Sequence, residues 1–134
     1  MTNAKVTKGF ILAGVMNASV LVFSRLFSNT TIAEFDPVVM SNFGLLMILI
    51  WGLAYMSVSK HYDRVKWLVG VFALEKLIYG CVWINWHIDN NISEVFEIDK
   101  MAGVFYAIYG INDWMFFAFF LFIFFRIFKV QRIA

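Results

Sequence analysis

Charge is scarce in this sequence. Aspartate, glutamate, lysine and arginine supply 15% of the 134 residues, against about 25% in soluble domains, so most of the chain cannot form an ordinary water-exposed surface. Cysteine occurs once, as Cys81, which excludes an internal disulfide and a thiolate metal cluster and leaves Cys81 as a small apolar filler. Proline also occurs once, as Pro37. It opens an apolar run and interrupts none. The two histidines, His61 and His87, fall outside the apolar runs, which argues against haem held between two intramembrane histidines. No cofactor and no metal is therefore expected. The formal net charge of +2 comes from basic residues flanking apolar runs and gives no reason to expect nucleic acid as a partner.

What the chain has instead is apolar length. Hydrophobic residues make up 62% of it, gathered in four runs at about 9–27, 38–58, 67–86 and 101–125, each long enough to cross a bilayer. The expected fold is an all-α membrane protein, residues 1–134 forming one domain of four transmembrane helices in an up-and-down antiparallel bundle. Residues 5–24 have the basic start and apolar run of a signal peptide but no small-x-small cleavage site after it, and they read as an uncleaved first span. Asp36 and Pro37 suit the N-cap and first turn of the second span, and Asp99 is placed to cap the fourth. Gly14 and Ala18 form a small-xxx-small face on the first span, with Asn17 and Ser24 adjoining. Ile92, Val95 and Phe96 fall at helical spacing in the third connection, as in a short amphipathic turn on the outer interface.

Lysine and arginine set the orientation. Lys5, Lys8, Lys60, Arg64, Lys66, Arg126, Lys129 and Arg132 lie at one end of the runs. The other end has Arg25 and Lys100 against Glu34, Asp36, Asp89, Glu94, Glu97 and Asp99. The positive-inside rule then places both termini in the cytoplasm, in what is expected to be a bacterial inner (plasma) membrane. In size and span count the chain is similar to small four-span bacterial inner-membrane proteins of the DoxX type, a likeness of architecture that brings no motif with it.

The third run, WLVGVFALEKLIYGCVWINW, carries Glu75 and Lys76 near the bilayer midplane, where even the mildest scales charge several kcal/mol per ion. Depth counting puts Asp113 and Asn17 at a similar level. Neighbours on a helix point about 100° apart, so Glu75 and Lys76 need separate partners. Lys76 is matched with Asp113. Glu75, without a counter-charge, is expected to be neutral at pH 7 and hydrogen-bonded to Tyr79 and Asn17. Tyr79, Trp83, Tyr106 and Tyr109 lie above these charges, while the inner half offers Tyr55, Ser57 and a wall of Phe, Leu and Val. This pattern describes a pocket open to the outer face, floored by charge and sealed below.

Three functions fit that pattern. The first is binding of, or action on, a lipid-like or quinone-like small molecule, with Glu75 and Asp113 handling protons and Lys76, Tyr79, Trp83, Tyr106, Tyr109 and Asn17 lining the ligand site. The second is an accessory or structural subunit, in a homo-oligomer or larger membrane complex, whose ionic cluster only fixes helix packing. The third, ranked below these, is a proton-coupled transporter, against which stands the lack of interrupted spans. Other features read as ordinary: Arg25 reaching the surface to meet Glu34 or Asp36, a solvated acidic loop at His87, Asp89, Glu94 and Glu97, and a chance glycosylation sequon at Asn29-Thr30-Thr31. Whether the chain is an enzyme is left open, since no catalytic motif decides it.

The orientation is directly testable. With Cys81 replaced by alanine, a cysteine placed at Asn90 should react with an impermeant thiol reagent in intact cells, and one placed at His61 should not. The reverse labelling pattern would overturn the assignment.

Overall fold

The computed structural model describes residues 1–133, and all its regular structure is helical. The elements are α1 (Asn3–Ala18), α2 (Val20–Phe23), α3 (Thr30–Phe35), α4 (Asn42–Val58), a single 3₁₀ turn (Tyr62–Arg64), α5 (Lys66–Asp89), α6 (Ile92–Ile98) and α7 (Lys100–Ile133). Three stretches are long and apolar enough to cross a membrane: Asn3–Phe23, which joins α1 and α2, then Lys66–Asp89 and Lys100–Ile133. The fourth apolar helix, α4, has 17 residues.

The shortening of α4 corrects the expected start at residue 38. The Asp36 carboxylate accepts from the Val39 N–H at 3.0 Å and the Asp36 carbonyl from the Met40 N–H at 3.0 Å. Asp36 and Pro37 therefore close a turn of their own. The helix begins after Ser41, whose hydroxyl accepts from the Gly44 N–H at 3.1 Å. The first span also ends early. Arg25, Leu26 and Phe27 have φ values of 48°, 56° and 66°, a left-handed conformation costing about 1–2 kcal/mol per non-glycine residue. Side chains and backbone hold this reversal in place. The Ser24 hydroxyl accepts from the Phe27 N–H at 3.0 Å, Asn42 donates to the Phe27 carbonyl at 3.2 Å, and the Leu26 N–H bonds the Leu21 carbonyl at 2.8 Å.

Arg25 pairs with Asp99 at 2.9 Å, not with Glu34 or Asp36, because the left-handed turn carries it towards the start of α7. Asp99 also caps that helix as expected, accepting from the Ala102 N–H at 3.0 Å. That N–H, and after it the Arg25 guanidinium, hold the Asp99 carboxyl below its ordinary range. Asn29 is buried and caps α3 by accepting from the Thr31 N–H at 3.2 Å. Its sequon is a helix start. The short third-connection helix forms as α6, with Val95 fully buried beneath it. α7 runs past the expected residue 125 to Ile133, a length of about 50 Å at 1.5 Å per residue, so its last turns extend beyond about 30 Å of hydrocarbon.

The long helices form two antiparallel pairs. α1 lies on α4 where Gly14 and Gly52 remove the side chains between the two backbones. A methyl group on Gly52 would sit 2.8 Å from the Gly14 carbonyl oxygen and 2.8 Å from the Asn17 Cβ. α5 lies on α7 by a different device, with indole rings in glycine notches: Trp83 covers Gly110 and Trp114 covers Gly80. In lipid, close packing of this kind replaces the hydrophobic drive towards helix association.

Between the two pairs the gap is filled by large side chains. In the half nearer the termini Phe10, Tyr55, Phe72 and Phe120 are fully buried, with ring centroids 4.8 Å apart for Tyr55–Phe72, 4.9 Å for Tyr55–Phe120 and 5.1 Å for Phe10–Phe120. In the half nearer the first and third connections Ile32, Met40, Trp86, Val95, Phe105 and Tyr106 form a second buried cluster. The N-terminus, the second connection and the C-terminus share one end, linked through Thr7–Ser59, Tyr62–Asn3 and Gln131–Asp63. The first and third connections share the other, linked through Arg25–Asp99 and Trp86–Phe35.

Candidate functional site

Between the two apolar clusters lies a buried polar layer: Asn17, Glu75, Lys76 and Asp113, each less than 8% exposed. Each comes from a different direction. α5 turns Glu75 towards α4 and Lys76 towards α1 and α7, as the helical angle between neighbours requires.

The Lys76 ammonium donates to Asp113 Oδ1 at 2.7 Å and to Asn17 Oδ1 at 2.7 Å. It also stands 5.4 Å from the centre of the Tyr55 ring, on whose face a cation is attracted. The expected Lys76–Asp113 pair is thus present and buried, with Asn17 as a third member. Asn17 uses its amide N–H on the Ile48 carbonyl at 2.9 Å, which fixes which way its oxygen faces. Every long helix contributes to this group: Asn17 from α1, Ile48 and Tyr55 from α4, Lys76 from α5 and Asp113 from α7.

Glu75 has a different partner from the expected ones. Tyr55 donates its hydroxyl to Glu75 Oε2, whereas Tyr79 makes no bond to it and Asn17 is committed to Lys76. The other carboxyl oxygen, Oε1, is buried with no protein partner. Tyr109 Oη and Asn112 Oδ1 are in the same condition. Buried polar atoms without partners are rare in folded proteins and call for an explanation.

All three orphaned atoms belong to residues lining one cavity, which Asn17, Lys76, Tyr79 and Asp113 also line, with Met16, Phe23, Phe105 and Ile108 as apolar walls. About 40 Å³ of it is wide enough to take the centre of a water molecule, room for about three waters or a polar head of a few atoms. The lining residues that keep some exposure are Met16, Ser19 and Phe23 from α1 to α2, Tyr79 from α5, and Ile108 and Asn112 from α7.

Six of the eight sequence-derived site residues therefore meet at this cavity: Asn17, Glu75, Lys76, Tyr79, Tyr109 and Asp113. Trp83 and Tyr106 do not line it. The Trp83 indole N–H donates to the Tyr106 carbonyl at 2.7 Å, and the Tyr106 hydroxyl donates to the Ile32 carbonyl at 2.5 Å. Tyr106 also stacks on Trp86 at 4.2 Å. Both residues are spent on packing the cluster nearer the first and third connections. Sequence reading missed Tyr55, placed with the inner wall, and Asn112. The signal for Asn112 was present, since an amide beside Asp113 in so apolar a run is itself exceptional.

Among the described residues, no group of three histidine, cysteine, aspartate or glutamate side chains is placed to hold a metal ion. Comparison with protein-family models, with curated proteins and with solved structures finds no match. The site is read from its own geometry.

The ion pair gives a direct test. Asp113→Asn leaves a buried ammonium with only neutral partners, and removing one member of a buried pair costs about 3–5 kcal/mol in soluble proteins. Lys76→Met combined with Asp113→Leu should recover most of that loss in reversible unfolding from mild detergent. Additive losses across the cycle would mean that the two side chains do not interact.

Proposed function

We propose that the chain is a four-span integral membrane protein of the plasma membrane, with both termini cytoplasmic, whose interior cavity binds a lipid-like or quinone-like molecule. The observation that carries this reading is the set of orphaned atoms at the cavity: Glu75 Oε1, Tyr109 Oη and Asn112 Oδ1. A phenol hydroxyl beside carboxyl and amide oxygens suits a head group that both accepts and donates a hydrogen bond. An uncharged head fits best, because Lys76 and Asp113 already neutralise each other.

The orientation rests on the clustering of cationic residues at the end shared by the termini and the second connection. α4 is about 25 Å long at 1.5 Å per residue. It crosses with the turn over Asp36–Met40 completing its outer end, in a bilayer that adjusts by a few Å.

The ligand enters sideways. The exposed edge of the cavity runs between α1–α2 and α7, along Met16, Phe23 and Ile108, whereas the outer end is covered by Ile32, Met40, Trp86 and Tyr106. A ring or tail lying on that seam would stay in lipid while a carbonyl or hydroxyl group of a few atoms reaches the polar layer. Glu75 is the group that exchanges a proton with the head, being the buried carboxyl with a free oxygen. Tyr109 and Asn112 orient it, and Lys76 with Asp113 provides a fixed electrostatic floor.

One observation favours a purely structural role. The ionic cluster joins both helix pairs, and that alone accounts for Lys76, Asp113 and Asn17. It leaves the three orphaned atoms without a reason. Proton-coupled transport ranks lower, since the inner half below the layer is closed by Phe10, Phe72 and Phe120, all fully buried.

Decylubiquinone and monooleoylglycerol serve as probes, with quenching of tryptophan fluorescence in detergent as the readout. One of them should bind saturably. Tyr109→Phe and Glu75→Gln should each weaken that binding about tenfold, the worth of one buried hydrogen bond at about 1.4 kcal/mol, without changing the thermal midpoint by more than a few degrees. Binding indifferent to both substitutions would dispose of the cavity as the ligand site. No binding of either probe, with both variants as stable as the parent, would favour the structural role.

A further inference from the structure

A second recess lies at the opposite depth, at the end where the termini and the second connection meet. It has a volume of about 370 Å³ and is lined by Asn3, Tyr62, Arg126, Gln131 and the apolar side chains of Ile127 and Val130. Asp63 completes the rim.

Arg126 is the unusual member. Its Nη1 is buried without a partner, and its Nη2 reaches only Asn3 Oδ1, at 3.4 Å. That oxygen already accepts from the Tyr62 hydroxyl at 3.1 Å. No carboxylate neutralises the guanidinium, because the ion pairs among the described residues are Lys76–Asp113 and Arg25–Asp99. Asp63, the one acid nearby, is exposed and uses its backbone carbonyl to accept from Gln131 at 3.3 Å. Exposed cations lie at the same end of the helices: Lys5, Lys8, Lys60, Arg64, Lys129 and Arg132.

A planar guanidinium is the side chain best shaped to grip a phosphate by two parallel hydrogen bonds, and a head group that displaced the long Asn3 contact would reach both Nη2 and the unspent, buried Nη1. Ile127 and Val130, on the same helix as Arg126, give the recess an apolar flank, and Val130 is 62% exposed, so the recess offers oily contact beside its cation. A solvated inorganic ion gains nothing from such a wall. A phospholipid gains from both halves, with its glycerol against Ile127 and Val130. Basic pockets at the cytoplasmic ends of membrane helices are suited to anionic head groups.

We propose that this recess binds the phosphate of an anionic phospholipid head group, held by Arg126 and seated on Ile127 and Val130. The site stands apart from the midplane cavity and does not depend on what that cavity binds.

The test uses the full chain in detergent with dihexanoyl phosphatidylglycerol, dihexanoyl phosphatidylcholine and inorganic phosphate. Retention is followed by native mass spectrometry and stability by the thermal midpoint. One phosphatidylglycerol per chain should be retained and should raise the midpoint. Arg126→Gln should weaken retention about tenfold, and Lys129→Gln, on the same helix but exposed, less than twofold. Should Arg126→Gln not fold, Arg126→Lys keeps the charge without the two-pronged geometry and should still lose severalfold. Equal losses in the Arg126 and Lys129 variants would mean diffuse attraction to a basic surface and overturn the site. Equal retention of phosphatidylcholine, or protection by inorganic phosphate at matching concentration, would overturn the anionic-lipid assignment.

Discussion

The Lys76 ammonium is the point on which this protein is assembled. A charge placed this deep cannot be left to itself, and the chain answers with a carboxylate, an amide oxygen and an aromatic face, each from a different helix. Away from the polar contacts at the two ends, such as Arg126–Asn3 and Arg25–Asp99, the two helix pairs would without that layer meet through apolar side chains, and apolar packing in lipid does little to set register. The aromatic cluster nearer the termini fills space. The polar layer fixes where along their lengths the pairs meet.

The same layer creates the site. Glu75 has to point away from Lys76, and Tyr55 satisfies one of its oxygens while the other stays free. The small residues that let each pair close up, Gly14 with Gly52 and Gly80 with Gly110, hold the helices within a pair together. Between the pairs the wider spacing leaves room beside the ions. A cavity with unmatched polar atoms between the two apolar clusters and a guanidinium with an unspent donor at the basic end are two outcomes of one construction. In both, a charged or polar group is held by the fold with part of its hydrogen-bonding capacity unspent.

Much of this was legible in the residues. Equal depth was enough to match Lys76 with Asp113, and helical spacing was enough for α6 and for the Asp99 cap. What depth alone could not supply was the lean of side chains. A helical side chain tilts towards its own N-terminus. α4 starts at the end where α5 finishes, so Tyr55 rises towards the level of Glu75 while Glu75 descends to meet it. Tyr79 shares the helix of Glu75 and leans the same way, one turn too far out. The end of the first span was hidden for another reason: no glycine announces the left-handed run at Arg25, Leu26 and Phe27, which contacts from Ser24, Asn42 and Asp99 hold in place. Likewise Asp36 and Pro37 are as good a start for a turn as for a helix, and Ser41 decides between the two.

If Lys76 is the shared partner that joins the pairs, then Asn17 and Asp113 should be coupled through it, although no hydrogen bond links them directly. A double-mutant cycle of Asn17→Ala and Asp113→Asn, read by reversible unfolding in mild detergent, measures this. The account predicts a non-additive result of about 1 kcal/mol or more, because Asn17 loses much of its value once the ammonium has lost its counter-charge. Additivity to within about 0.3–0.5 kcal/mol would contradict it and leave Lys76 as one half of an isolated pair.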